Sequence, residues 1–278
     1  MDLKTLQDTP PWEWPRDAGK TFQKILRDRR ATESDRLIAA ELAGNMVVIN
    51  DGLADSIMAI VRDPGEPERL RAEAAIALGP VLEQSDTFGF DDPDDVPITE
   101  LTFRNIQELL QELYSDKGIP KEVRRRILEA SVRAPEDWHQ DAIRSAYSSG
   151  DRDWMLTAVF SMRWVRGFDD QILEALGSAD AEIHFEAVLA ADKWEVAAAW
   201  SHVLALVQDA DTPKPLLLAA IGAVASIRPA EAGVILVDLS DSDDEEIAEV
   251  ALDAMAMAEG SCEEDEEEDE EDGGEWVN

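Results

Sequence analysis

Among 278 residues the chain holds one cysteine, Cys262. A single thiol forms no internal disulfide and builds no thiolate-rich metal centre. Bases are also scarce: 25 lysines and arginines face 62 aspartates and glutamates, for a formal net charge of −37. Nucleic-acid binding relies on Lys and Arg displacing counterions from phosphates, so this balance excludes nucleic acid as a partner. An anionic membrane surface is disfavoured for the same reason. Long apolar runs are missing too. The longest, Pro215 to Ile227, has thirteen residues and is bracketed by Lys214 and Arg228. A helix that crosses a bilayer needs about 20. Met1-Asp2-Leu3-Lys4 is polar where a secretory signal would be apolar. These absences predict a soluble, cytoplasmic protein with no membrane and no nucleic-acid partner.

What is present is a period. A small or apolar residue is followed three, four and seven positions later by others of that kind. The series runs Ala40/Ala43/Gly44/Val47, Ala74/Ala77/Leu78/Val81, Ile127/Ala130/Ser131/Ala134 and Ala158/Ser161/Met162/Val165. It continues with Ala187/Ala190/Ala191/Trp194, Ala220/Ala223/Val224/Ile227 and Ala251/Ala254/Met255/Ala258. First positions lie 34, 53, 31, 29, 33 and 31 residues apart. Such a period means stacked supersecondary units. Larger aliphatics such as Leu53/Ile57/Ile60 and Ile172/Leu173/Leu176 precede each signature at amphipathic-helix spacing. Each unit therefore reads as a first helix with a bulky stripe and a second helix whose small residues let backbones approach. The fold class is all-α, an α–α superhelix (solenoid) of about seven helix pairs.

The array is expected over residues 15–260, behind an N-terminal arm (1–14) and ahead of a disordered acidic tail (261–278). Trp12 and Trp14 of the arm would cover the first helix pair. Turns such as Asp63-Pro64-Gly65, Ser178-Ala179-Asp180, Asp209-Ala210-Asp211 and Ser240-Asp241-Ser242-Asp243 supply Asp and Ser to cap the following helix. The stretched 53-residue interval holds Gln84 to Pro97, read as an Asp-rich loop. Its spacing fits no EF-hand, so no metal is expected there. The tail contains ten consecutive acids, Glu263 to Asp272, too charged and too polar to collapse.

Arg71-Ala72-Glu73-Ala74-Ala75-Ile76-Ala77-Leu78-Gly79 resembles the second-helix motif of bacterial HEAT-like repeats, a class also found in phycobilin lyase subunits. Glu182 to Val188 and Trp154 to Met162 look like degenerate copies. The resemblance covers about residues 15 to 260 and speaks to architecture, because the motif residues are packing residues. It implies an arginine three positions before the first small residue, paired with an Asp of a neighbouring turn. Arg71 and Arg124 match that position, and His184 occupies it in the fifth unit. Leu37, Met155, Leu217 and Ala248 stand there in the others, so the ladder is incomplete.

Catalysis needs convergent polar groups, and the chain offers no Gly-rich phosphate loop, no Gly-x-Ser-x-Gly and no Cys–His set. His139, His184 and His202 each start or flank a helix, where capping or solvation is their expected role. No catalytic residue, metal or cofactor is expected, and the chain reads as non-enzymatic. One constellation stands out against the acidity. Positions five and six beyond the first small residue point away from the stacking seam. They place Arg133, Arg163, Trp164 and Lys193, with Arg166 close by, on one basic strip with an aromatic centre. Such a strip would grip an acidic protein segment with arginine forks and a tryptophan plate. The tail is a candidate occupant, or a bait for a basic protein. The function expected is a protein-interaction scaffold or adaptor. The alternative is an accessory subunit of an enzyme, lyase-like or regulatory, needing a second chain.

Overall fold

The structure is a computed structural model that describes residues 3–92 and 95–272, with 261–272 described by backbone alone. Among the described residues every regular element is helical and no strand occurs. The helices fall into two compact units, Met1–Ser149 and Gly150–Asn278.

The first unit contains α1 (Leu3–Gln7), α2 (Ala18–Arg27), α3 (Glu33–Ala43), α4 (Asp51–Arg62) and α5 (Glu68–Ile76). It continues with α6 (Gly79–Phe88), α7 (Glu100–Ser115), α8 (Lys121–Ser131) and α9 (Trp138–Tyr147). Helix α2 pairs with α3, α4 with α5 and α7 with α8. Second helices stack as α3 on α5 on α8, and first helices as α2 on α4 on α7. Phe22, Leu26, Leu53, Ile57, Leu70, Leu78, Ile106 and Leu110 fill the core between the layers. The small-residue signature has a direct physical cause at Gly44. A Cβ there would lie 2.3 Å from the carbonyl oxygen of Ala77, the residue that caps the end of α5. Only glycine permits that approach, so the α3–α5 spacing depends on it.

The arm is more structured than its lack of period suggests. Leu3 and Leu6 of α1 are buried. Trp14 meets Phe22 edge-on at 5.4 Å, and its Nε1 donates to the carbonyls of Leu6 (2.9 Å) and Thr9 (2.8 Å). Trp12, expected to cover the first helix pair, is instead 79% exposed. The stretch from Gln84 is likewise not all loop, because α6 runs through Phe88. After it, Val96 and Ile98 are buried, Phe90 packs on Phe103 at 5.4 Å, and Gln84 donates to the Asp95 carbonyl. The apolar residues spaced among the aspartates tie this insertion down.

The second unit contains α10 (Arg152–Ser161), α11 (Asp169–Leu176), α12 (Ala181–Lys193), α13 (Trp200–Gln208), α14 (Lys214–Ile227), α15 (Pro229–Ser240) and α16 (Glu245–Asp272). Helix α11 pairs with α12, α13 with α14 and α15 with α16, while α10, α12, α14 and α16 stack in sequence. The backbone of α16 stays helical into the acidic run. Residues 273–278 lie outside the described residues, and with them that part of the expected disorder.

Turn chemistry sorts into two kinds. Asp63, Asp116 and Asp209 each accept the backbone N–H two residues on, at 2.8, 2.8 and 3.0 Å. Pro67, Pro120 and Pro213 then occupy the N-cap position, where their fixed φ and missing donor are tolerated. In these turns the aspartate closes the turn and does not cap the helix, contrary to expectation at Asp63 and Asp209. In the other kind, Ser178 and Ser242 accept the N–H of Asp180 and Asp244. Those aspartates cap α12 and α16 through the N–H groups of Glu182, Ile183, Glu246 and Ile247.

Candidate partner-binding face

The turn that follows α10 and the last residue of α12 hold four of the five strip residues. Arg163 lies over the Trp164 ring at 4.9 Å, and Trp164 in turn packs on Phe160 at 4.8 Å. Helix α12 supplies the second plate. Trp194 donates from Nε1 to the Met162 carbonyl at 2.6 Å, satisfying one of the carbonyls that the end of α10 would leave open. Arg166 then lies over the Trp194 ring at 4.6 Å. The chain can turn back there because Gly167 sits at φ 93, and Glu195, just after Trp194, is a non-glycine residue at φ 49. Glycine adopts that conformation freely; at Glu195 it carries strain, of the kind that clusters at functional sites. A third guanidinium, Arg228, lies over Trp200 at 4.8 Å.

The electrostatics are mixed. Arg163 reaches Glu186 of α12 at 3.7 Å. Burial raises the pKa of Asp192, while the Ser226 hydroxyl, donating at 2.5 Å, and the Arg163 charge oppose that rise. Lys193 and Arg166 are exposed; Arg163 and Trp164 are half-buried. Arg133 belongs to the first unit, where it lies across Gly79 and pairs with Glu83 at 2.9 Å. There it lines a cleft with Trp14, Glu41, Gly44, Glu73 and Pro80. Burial, helped by the Glu41 charge, raises the Glu73 pKa in that cleft.

The histidines behave differently from their expected capping or solvated roles. His139 is fully buried. Its Nδ1 accepts the Glu136 N–H at 2.8 Å and its Nε2 lies 2.9 Å from Ser131 Oγ. Those contacts describe a neutral imidazole, and burial lowers its pKa to about 4. His184 of α12 and His202 of α13 approach to 2.7 Å between their Nε2 atoms. One proton serves that contact, so burial and, for His184, the facing His202 lower both pKa values. Eighteen residues separate the two in sequence, which is why no local motif marks them. Among the described residues no group of three or more His, Cys, Asp or Glu could hold a metal ion. Among them, too, no helix is long and apolar enough to cross a membrane.

No protein-family model and no curated protein sequence matches the chain. Solved structures do. A structure of human deoxyhypusine hydroxylase in complex with glycerol is 17% identical at a TM-score of 0.40, over 93% of this chain and 88% of that one. The crystal structure of an engineered protein is 16% identical at a TM-score of 0.35, over 88% of this chain and 97% of that one. Likeness at this level transfers no substrate and no mechanism. It does correct one expectation: the proteins this chain resembles in structure include an enzyme, so the reading of the chain as non-enzymatic does not stand. Helical repeats host both kinds of work.

Proposed function

We propose that the chain is a cytoplasmic protein-interaction scaffold whose face on α10 and α12 receives an acidic segment of a partner protein. The observation that carries this reading is the pair of stacked guanidiniums, Arg163 over Trp164 and Arg166 over Trp194, beside exposed Lys193. Stacking holds each guanidinium plane in place, so less side-chain freedom is lost when it forks a carboxylate. Tryptophan and arginine are also the residue types that dominate interface energetics. On a chain of net charge −37, such a patch also selects acidic partners by contrast with its surroundings.

The test is titration of the full chain with a fluorescent Glu/Asp-rich peptide. Arg166→Glu combined with Lys193→Glu is expected to weaken binding at least about tenfold, because both charges reverse. Trp164→Ala with Arg163→Glu is expected to do the same. Unchanged affinity in both double variants sinks the reading. A second reading, an accessory subunit that helps complete an enzyme's site, draws on the His184–His202 contact. Two imidazoles sharing one proton are suited to proton transfer. Under that reading His184→Gln abolishes activity of the reconstituted enzyme and leaves acidic-peptide binding intact.

A further inference from the structure

In the second unit the stack is carried by a fixed register. One and four positions beyond the first small residue stand Val159 of α10 and Met162 just after it, Val188 and Ala191 in α12, and Ile221 and Val224 in α14. All six are at 0% exposure. Helix α16 has Leu252 and Met255 in that register, yet Leu252 is 55% exposed and Met255 is half-buried. Ala256 and Met257 beside them are also exposed. Helix α15 adds to this. Val234 is 81% exposed and stands where α13 has Ala205 and α11 has Glu174, aligned on the buried pairs Ala232/Leu236, Val203/Val207 and Ile172/Leu176. Single exposed aliphatics are ordinary. A stacking register that ends in an exposed leucine and a half-buried methionine, with exposed Met257 beside them, is a helix face built to be covered.

Charge says what covers it. From Pro229 to Asn278 there is no lysine, arginine or histidine. Exposed Glu231, Asp238, Glu249, Asp253 and Glu259 flank the apolar residues. A second copy of this chain meeting it through the same face would bring the same unrelieved acidity to the contact and be repelled. We propose that the outer side of the α15/α16 pair docks a cationic amphipathic helix of a partner protein. Its apolar stripe rests on Leu252 and Met255 in the manner of a further second helix, and its Lys and Arg meet the flanking carboxylates. This surface is separate from the face on α10 and α12 and takes a partner of opposite charge.

The probe is a synthetic leucine–lysine peptide with leucines at i, i+3, i+4 and i+7, compared with a scrambled isomer and an oligolysine of equal charge. Hydrogen exchange on the full chain is expected to show protection over residues 247–258 with the amphipathic peptide alone. Leu252→Asp, a change at an exposed position, is expected to weaken that binding at least about tenfold, and Met257→Asp to weaken it less. Equal binding of the scrambled peptide, or protection confined to 261–272, overturns the proposal in favour of the acidic run acting by charge alone. Unchanged affinity in Leu252→Asp overturns it as well. So does a dimer seen by sedimentation without peptide and lost in Leu252→Asp, which would give the face to a second copy.

Discussion

The two units share a repeat period and secure their helix ends by opposite means. In the first unit a second-helix arginine reaches back ten residues to the end of its own pair's first helix. Arg36 donates to the Leu26 carbonyl (2.9 Å), Arg71 to Val61 (3.0 Å) and Arg124 to Tyr114 (2.8 Å). Arg36 and Arg71 are buried, and Arg36 is further clamped by Glu66, itself shielded from solvent. In the second unit the cation sits at the start of the second helix, on the surface, and reaches forward. Arg152 meets Asp180 and Glu182, and Lys214 meets Asp244 and Glu246. Met155 and Leu217 occupy the positions that Arg71 and Arg124 hold in the first unit. Both arrangements place positive charge where open carbonyls or helix N-terminal acids need it. Only the buried one is shielded from salt.

That difference is broken most sharply at Arg36. Arg36→Met leaves the Glu66 carboxylate short of its buried partner and the Leu26 carbonyl without its donor, and is expected to cost about 3–5 kcal/mol in urea unfolding. Arg152→Met in the second unit is expected to lower the midpoint slightly, by an amount that disappears in high salt. Equal losses at both sites would abolish the contrast.

Glycine sharpens it next. Gly44→Ala drives a methyl into the α5 backbone and is expected to cost about 3 kcal/mol. Gly222→Ala in α14 meets only Asp192 Oδ2, at 3.8 Å. It is expected to stabilise the second unit by up to about 1 kcal/mol through helix propensity. Differential scanning calorimetry on both variants checks the opposite signs.

A further contrast is pH dependence through His139, a buried titratable group of the first unit. Its folded pKa of about 4 lies below the ordinary 6.5, so the unfolded chain binds the extra proton between those values. Stability of the first unit therefore falls as pH drops through that window, by about 2 kcal/mol near pH 4.5. His139→Gln is expected to flatten this slope, read by hydrogen exchange of α8 and α9. A slope that persists in the variant would move the cause to other groups.

Much of this was legible in the residues. The bulky stripes and small-residue signatures placed the first and second helices of each pair, because amphipathic periodicity is a local consequence of burying one face. The turn residues were legible as turns, although whether an aspartate capped or merely closed the turn depended on the proline that follows. Less legible were Trp194, whose indole serves a carbonyl 32 residues away, and the His184–His202 contact. The strip was half legible. Four of its members gather in the turn after α10 and at the end of α12, but the sequence could not show that Arg163 has Glu186 beside it or that Arg133 sits in the other unit.

The sequence by itself determined the all-helical repeat, its period and its acidity. These follow from local propensity and from the composition of single helices. Tertiary structure decided which charges are buried, which histidines meet, which tryptophans back an arginine and which face of α16 is left open. Those properties depend on residues about thirty positions apart coming into contact across stacked helices, and no local pattern encodes the geometry of that contact.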